Sequence, residues 1–176
     1  MDEMVDVIDN AGNILYPILK IEAHQKGLLH KTVIAAVKNS KGEIMLVRQA
    51  ASRQEPGQYT NPMGGHVSSG ESEENALRRE VMEELGIEEF THELIGKAIF
   101  NRRVLNRQEN HYFIVYEIVV DVDPVLGDEA DSFRIFTKDE LVNEIKNNPS
   151  DFGESFFFVA KSFYPGLLIQ REEKNR

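Results

Sequence analysis

The segment Gly65–Ile87, GHVSSGESEENALRREVMEELGI, constrains this chain of 176 residues more than any other stretch. On a helix, Glu80, Glu83 and Glu84 fall within roughly one third of the circumference, because positions i, i+3 and i+4 are neighbours. Each like-charged pair at this spacing destabilises a bare helix by about 0.2–0.5 kcal/mol. Taken by themselves, three glutamates at this spacing are also typical of an acidic helix face exposed to solvent. The spacing of the whole segment instead predicts a helix over about residues 72–85 whose acidic face holds a cation.

The other residues of the segment suit the same arrangement. Arg79 lies one helical turn before Glu83 and can orient that carboxylate. Gly65 allows a backbone carbonyl to approach a metal or a phosphate, and Gly86 stands where a helix ends in the left-handed conformation. Ser72 supplies capping chemistry at the helix start. An apolar stripe that can dock the helix on a sheet is formed by Leu77, Val81 and Leu85.

Mg²⁺ is the cation that this acidic face predicts, with Mn²⁺ as an alternative. Mg²⁺ takes oxygen ligands in octahedral geometry, keeps several waters, and is usually shared between one or two carboxylates and substrate phosphates. The segment therefore predicts a magnesium site that faces a phosphate-containing small molecule.

The spacing also matches a known motif. Gly65 is followed by five residues and Glu71, then by seven residues and Arg79-Glu80, an apolar Val81, Glu83-Glu84, Leu85, Gly86 and an apolar Ile87. This is the pattern of the Nudix box, and the chain resembles Nudix hydrolases. The resemblance implies an α/β fold, an α/β/α sandwich with a mixed β-sheet. It also implies Mg²⁺-dependent hydrolysis of a diphosphate linkage in a nucleoside diphosphate derivative or another organic diphosphate.

The same resemblance implies roles for individual residues. Glu80, Glu83, Glu84 and the carbonyl of Gly65 are the expected metal ligands. Glu83, Glu80 and Arg79 are the expected catalytic residues, with Arg79 bracing the acidic cluster. The general base stays open between Glu83, Glu80 and a carboxylate outside the box.

Outside the box, EAHQKGLLHKT and VRQAASRQEPGQYTNPMGGH are similar to isopentenyl-diphosphate isomerases, a branch of the same superfamily, over roughly residues 5–165. In those isomerases, histidines and carboxylates build a second metal site, and the matching positions here are His24, His30, His66, Glu109 and His111. His111 replaces a carboxylate, so whether these histidines bind a metal stays open. Glu109 is the base candidate outside the box. The resemblance also implies substrate contacts from Arg48, Arg53, His66 and Glu109.

Two departures from the isomerases favour hydrolysis. The isomerases carry a catalytic cysteine at the position of Gly64, and this chain contains no cysteine. The isomerases also lack carboxylates at the positions of Glu80 and Glu83, which hydrolases keep. We therefore expect a hydrolase. An isopentenyl-diphosphate isomerase-like protein and a non-catalytic diphosphate-binding module are the alternatives.

Charge and composition limit the partners. A formal charge of −10 argues against nucleic acid, because affinity for its backbone derives largely from Lys and Arg. The acidic N-terminus lacks a signal pattern and no apolar run approaches about 18 residues, so a cytoplasmic protein without membrane contact is expected. The length suits one domain, 1–176, with a polar tail at 171–176. A small-molecule diphosphate is the expected partner, its identity is open, and a homodimer is an alternative to the monomer.

Turn signals and alternation predict the remaining elements. Hairpins are expected around turns at 9–12 and 39–42, and a strand is expected at 132–136. The polar segment 22–30, the stretch 50–58 and the basic stretch 101–110 are expected outside strands and helices, and Arg102, Arg103 and Arg107 form a basic loop able to clamp an anion. A helix is expected after the N-cap Thr137, and a closing helix around residues 156–163.

Overall fold

The computed structural model describes residues 3–105 and 107–168, so the predicted polar tail lies outside this range. Within it, one sheet of nine strands is surrounded by four α-helices and two 3₁₀ turns. The strands are β1 (Met4–Ile8), β2 (Ile14–Leu19), β3 (His30–Lys38), β4 (Ile44–Gln49), β5 (Tyr59–Thr60), β6 (Met63–His66), β7 (Thr91–Val104), β8 (Arg107–Val119) and β9 (Ala130–Phe136). The helices are α1 (Lys20–Lys26), α2 (Glu73–Leu85), α3 (Lys138–Asn147) and α4 (Glu154–Phe163), and the 3₁₀ turns are Pro149–Asp151 and Pro165–Leu167.

Strand β3 is the centre of the sheet. It runs parallel to β8, with His30 opposite His111, and antiparallel to β1, β4 and β6. Strand β8 also pairs with β7 in a long hairpin, and β4 pairs with β5 and β9. The sheet is therefore mixed, as predicted.

Alternate residues of β3 face opposite layers of the protein. Val33 and Val37 belong to a core cluster shared with α2, whereas Ile34 packs in a cluster with Val159 of α4. Leu46 of β4 lies in a further cluster with residues of α3 and α4. Because side chains alternate between the two faces of a strand, helices cover both faces of the sheet. The predicted α/β/α sandwich is confirmed.

Helix α2 has the ends that its sequence predicts. The Ser72 hydroxyl accepts a hydrogen bond from the backbone N–H three residues on, at 3.2 Å, and Gly86 closes the helix with φ 64°. Leu77, Val81 and Leu85 are fully buried, at 0% exposure. Burying an aliphatic side chain of this size contributes about 1.5–3 kcal/mol, so the stripe fixes the helix on the sheet and sets the direction of its acidic face.

The predicted hairpins and the two later helices are also confirmed. Strands β1 and β2 form the first hairpin and β3 and β4 the second. Thr137 begins α3 with a capping box to Glu140, and Phe156 of α4 is buried in the core. No helix among residues 3–105 and 107–168 is long and apolar enough to cross a membrane.

Two segments that were expected to lack regular structure contain it. Part of the polar segment belongs to α1, which ends at Lys26 and is capped by Gly27 with φ 63°. The basic stretch 101–110 is mostly strand, with Arg102 of β7 opposite Glu109 of β8. Opposite charges facing each other across a ladder stabilise it, so a charged sequence extends the hairpin here rather than forming a loop.

Candidate active site

The acidic face of α2 lies against strand β6. The Glu80 carboxylate approaches Gly65 so closely that a Cβ atom at this glycine would lie 1.9 Å from the Glu80 Cδ atom. The N–H of the neighbouring Gly64 donates to Glu84 Oε2 at 3.4 Å. A side chain at position 65 would therefore occupy the place of the Glu80 carboxylate, which gives this glycine a role in packing.

Arg79 ties α2 to the strand. Its guanidinium donates to the two carboxylate oxygens of Glu71 at 2.9 and 2.8 Å, to the carbonyl of His66 at 2.9 Å and to Glu80 Oε1 at 2.6 Å. The Glu83 carboxylate lies farther off, at 3.7 Å. Charge-assisted hydrogen bonds are short and directional, so Arg79 orients Glu80 more directly than Glu83.

The carboxylates of this cleft lie close together without enough positive charge to balance their ionised forms. Burial, helped by the neighbouring carboxylates of Glu129 and Glu80, raises the pKa of Glu84 to about 9. Burial also raises the pKa of Glu80. Glu83 stands at the rim, with its side chain 59% exposed. Carboxylates are hard oxygen ligands, and these ionise readily only when a cation compensates their charge. They therefore suit Mg²⁺ or Mn²⁺.

Glu129 is a cleft residue that the sequence did not reveal. It lies directly before β9 and lines the cleft with Glu83 and Glu84. Its carboxylate pairs with Arg53 at 2.8 Å, which brings this predicted substrate-binding arginine to the same cleft. Glu129 reaches the cleft through the pairing of β9 with β4, a long-range contact that no spacing in the sequence marks.

Four histidines converge beside the acidic cleft. Their candidate ligand atoms lie within 4.8 Å of one another, and the residues are His24 of α1, His30 of β3, His66 of β6 and His111 of β8. His24 Nε2 lies 3.2 Å from His111 Nε2 and 3.2 Å from His66 Nε2. His30 Nδ1 lies 2.7 Å from the Leu28 carbonyl, which leaves its buried Nε2 atom without a hydrogen-bond partner. A carbonyl on one ring nitrogen commonly orients the other towards a metal, so this cluster fits a bound ion.

Burial keeps these histidines neutral. It lowers the pKa of His24 to about 4 and that of His111 to about 3, and the nearby His30 acts in the same direction on both. Burial also holds the pKa of His66 well below its ordinary value. A histidine must be unprotonated to bind a metal, so the cluster needs to release no proton at neutral pH.

Glu109 lies next to the histidines and is bound by two arginines. Arg102 Nε donates to Glu109 Oε2 at 2.8 Å, and Arg107 Nη2 donates to Glu109 Oε1 at 2.7 Å. Arg102 also donates to Glu55 at 2.7 Å, and Glu55 accepts a hydrogen bond from the Ser155 hydroxyl at 3.0 Å. The Arg102, Glu109 and Glu55 side chains are only 9%, 4% and 8% exposed. The expected anion clamp is therefore partly a buried ion-pair network, and Glu55 was not predicted.

An inner cavity of about 120 Å³ connects the two clusters, because Glu84, His66 and Glu109 all line it. Its wall also mixes polar and apolar groups, among them Gln49, Thr60, Asn61, Phe100 and Phe113. This cavity can hold the part of a ligand that does not contact the metal.

Arg48 lies away from this cavity. Its neighbours Val47 and Gln49 line the wall, and the alternation of side chains along β4 turns Arg48 to the opposite face. There its guanidinium donates to the Gly57 carbonyl at 2.6 Å and lies 4.1 Å from the centre of the Tyr59 ring. The structure brings the predicted site residues Arg53, His66 and Glu109 together with the box, but not Arg48.

A mixed sheet that seats a glutamate-rich helix against a glycine-containing strand defines a class of α/β proteins with an acidic cleft suited to divalent cations. Within that class, the chain belongs to the NUDIX domain family, whose model matches residues 28–155. Membership supports a hydrolase-type function.

Relatives in the same family carry two kinds of name. An isopentenyl-diphosphate Delta-isomerase of Serratia proteamaculans is 30% identical over 92% of this chain and 91% of its own length. An uncharacterized Nudix hydrolase of Nostoc is 31% identical over 96% of this chain and 84% of its own length. Both therefore match nearly the whole of the chain. One name indicates isomerisation and the other indicates hydrolysis.

Solved structures agree with the fold. The crystal structure of DR0079 from Deinococcus radiodurans has a TM-score of 0.72 and 21% identity, and covers 90% of this chain and 98% of its own. The MutT protein of Methanosarcina mazei has a TM-score of 0.61 and 24% identity, and covers 79% of this chain and 92% of its own. At these identities the likeness establishes the architecture alone.

Proposed function

We propose that this chain hydrolyses a diphosphate linkage in a nucleoside diphosphate derivative or another organic diphosphate, with Mg²⁺ held by Glu80, Glu83 and Glu84. The observation that supports this most directly is the crowding of these carboxylates against the Gly64–Gly65 backbone, where burial raises the pKa of two of them. Bound Mg²⁺ would supply positive charge that offsets the charge of the phosphate oxygens.

Glu83 is the residue to which we assign the role of general base. Its side chain is 59% exposed, so its carboxylate can contact water in the cleft. Glu80 is buried and bonded to Arg79, and Glu109 is held by two arginines. Those two carboxylates are therefore less accessible to water in the cleft than Glu83 is. We assign Arg79 the role of orienting Glu80, and we assign Arg53 a contact with the anionic substrate.

The isomerase names of some relatives define the second candidate function. Gly64 stands where the isomerases carry their catalytic cysteine, and the chain has no cysteine at any position. Glu80 and Glu83, which hydrolases keep, are both present at the cleft. These two observations favour hydrolysis over isomerisation, and an assay for double-bond migration with isopentenyl diphosphate separates the two functions.

The test is a panel of nucleotide, nucleotide-sugar, dinucleotide and prenyl diphosphates incubated with the protein and Mg²⁺, followed by phosphatase and a phosphate assay. Glu83→Gln and Glu84→Gln should abolish any turnover. Glu74→Gln is the matched control, because Glu74 lies on the same helix but pairs with Arg78 at the exposed surface. Turnover that survives in both site variants would refute the assignment of hydrolysis to this acidic cleft, and diphosphate binding without turnover on any substrate would favour a non-catalytic binding module.

A further inference from the structure

Two spacings between the histidine nitrogens match a compact set of four ligands, and all four candidate ligand atoms lie within 4.8 Å of one another. His24 Nε2 lies 3.2 Å from both His111 Nε2 and His66 Nε2. With metal–nitrogen bonds of about 2.0–2.1 Å, the edge of a tetrahedron of nitrogens is about 3.3 Å. His30 adds a fourth nitrogen that is buried and has no other partner. These four imidazoles can therefore complete a coordination shell without a carboxylate.

Glu109 lines the same cavity as His66 and His111, and its oxygens are largely occupied. A carboxylate offers about four lone-pair positions. Three N–H groups already use them, namely Arg102 Nε at 2.8 Å and Arg107 Nε and Nη2 at 3.2 and 2.7 Å. Two guanidinium groups also neutralise its charge, so Glu109 is a poor ligand in this arrangement.

Arg102 is fixed in place from its other end. Its Nη1 atom donates to Glu55 at 2.7 Å, and Glu55 is held in turn by the N-terminal backbone of α4 and by the Ser155 hydroxyl. The fit around Glu55 is close, because a Cβ atom at Gly153 would lie 2.4 Å from Glu55 Oε2. Turning Arg102 away from Glu109 would therefore also break its ion pair with the fixed Glu55 carboxylate.

We propose that the histidine site binds its ion through four imidazoles alone, and that the Glu55–Arg102 pair is the positioning device that withholds Glu109 from it. Imidazole ligands suit Zn²⁺, Cu²⁺ and Ni²⁺, whereas carboxylates suit Mg²⁺ and Mn²⁺. Strand β6 would then separate two kinds of ion, since Gly65 adjoins the carboxylates and His66 belongs to the histidine cluster. This inference concerns metal binding and does not depend on the proposed hydrolysis.

The test uses Co²⁺ as a probe on the full-length protein after chelation of all metals. Four-coordinate Co²⁺ absorbs visible light much more strongly than six-coordinate Co²⁺, so the spectrum reports the number of ligands. Glu109→Gln should keep the intense wild-type spectrum and change the Co²⁺ affinity by less than about threefold. His111→Asn should weaken binding by more than about 100-fold, since changes outside the coordination shell can already cost 10–100-fold.

A second variant covers the case in which Glu109→Gln fails to fold. Glu109→Gln combined with Arg107→Gln removes one charge of each sign and leaves the Glu55–Arg102 pair intact, and it should also keep the wild-type spectrum. Arg102→Gln with Arg107→Gln frees Glu109 and should weaken the absorption as a carboxylate joins the ion, and adding Glu109→Gln should restore it. A wild-type spectrum that is weak, or that changes with Glu109→Gln alone or with Glu109→Gln combined with Arg107→Gln, would overturn the proposal.

Discussion

Replacing Gly65 with alanine should disable the acidic cleft while the fold persists. The new Cβ would lie 1.9 Å from Glu80 Cδ and 2.2 and 2.3 Å from the two carboxylate oxygens. The carboxylate must therefore move by roughly 1.5 Å to restore ordinary van der Waals contact. Metal–ligand distances vary by only about 0.2 Å, so a shift of this size removes Glu80 as a ligand and breaks its bond to Arg79.

The expected loss of Mg²⁺-dependent turnover is about 10²–10³-fold, as for removal of one preorganised polar group. Overpacking should lower the free energy of unfolding by about 1–3 kcal/mol. Gly64→Ala is the matched control, because its Cβ would meet only Ile34 Cδ1, at 3.1 Å, the end of a flexible side chain. Calorimetric titration with Mn²⁺, turnover and urea unfolding compare the two variants. Wild-type Mn²⁺ affinity in Gly65→Ala would refute the argument that this glycine exists to seat Glu80.

Arg102→Gln should lower the free energy of unfolding by about 3–5 kcal/mol, because Glu55 and Glu109 would stay buried without their shared cation, while the exposed Arg103→Gln should change it by less than about 0.5 kcal/mol. Urea unfolding measures both, and equal effects would contradict the buried network. The metal-free protein should lose stability as pH falls from 6.5 towards 4, since the unfolded state protonates His24 near 6.5 and the folded state only at about 4. Thermal unfolding in EDTA across this pH range measures how strongly stability depends on pH. His24→Asn should reduce this dependence, and an unchanged dependence would refute the argument. His111→Glu should shift the histidine site from Zn²⁺ towards Mn²⁺, because a carboxylate replaces an imidazole. Competitive loading followed by elemental analysis measures the ratio, and an unaltered preference for Zn²⁺ would count against the assignment of His111 as a ligand.

Helix α2 and its acidic face could be predicted because their determinants are local. Ser72, the apolar stripe and Gly86 lie within one segment, and helical periodicity places Glu80, Glu83 and Glu84 together without knowledge of the rest of the fold. The histidine cluster is different, since His24 and His111 are 87 positions apart. Only the resemblance to the isomerases grouped these histidines, because residue spacing carries no information about which strands pair.

The missed features have non-local causes. Glu55 and Glu129 lie in irregular segments, and each gains its place from contacts with residues far away in sequence. The stretch 101–110 has the composition of a loop, yet Arg102 and Glu109 neutralise each other across a ladder. Arg48 is a case where more could have been predicted, since alternation along β4 places it on the face opposite Gln49.

The parallel pairing of β3 with β8 also bears on how the protein matures. It sets His30 beside His111 and closes a loop that includes β4, β6 and the whole of α2. Pairings between such distant segments form slowly, because chain entropy is lost before contacts compensate. During synthesis β8 emerges late, so a nascent chain can present the acidic helix well before it can assemble all four histidines. Retention of an ion at the histidine site should therefore distinguish molecules with a completed sheet from folding intermediates.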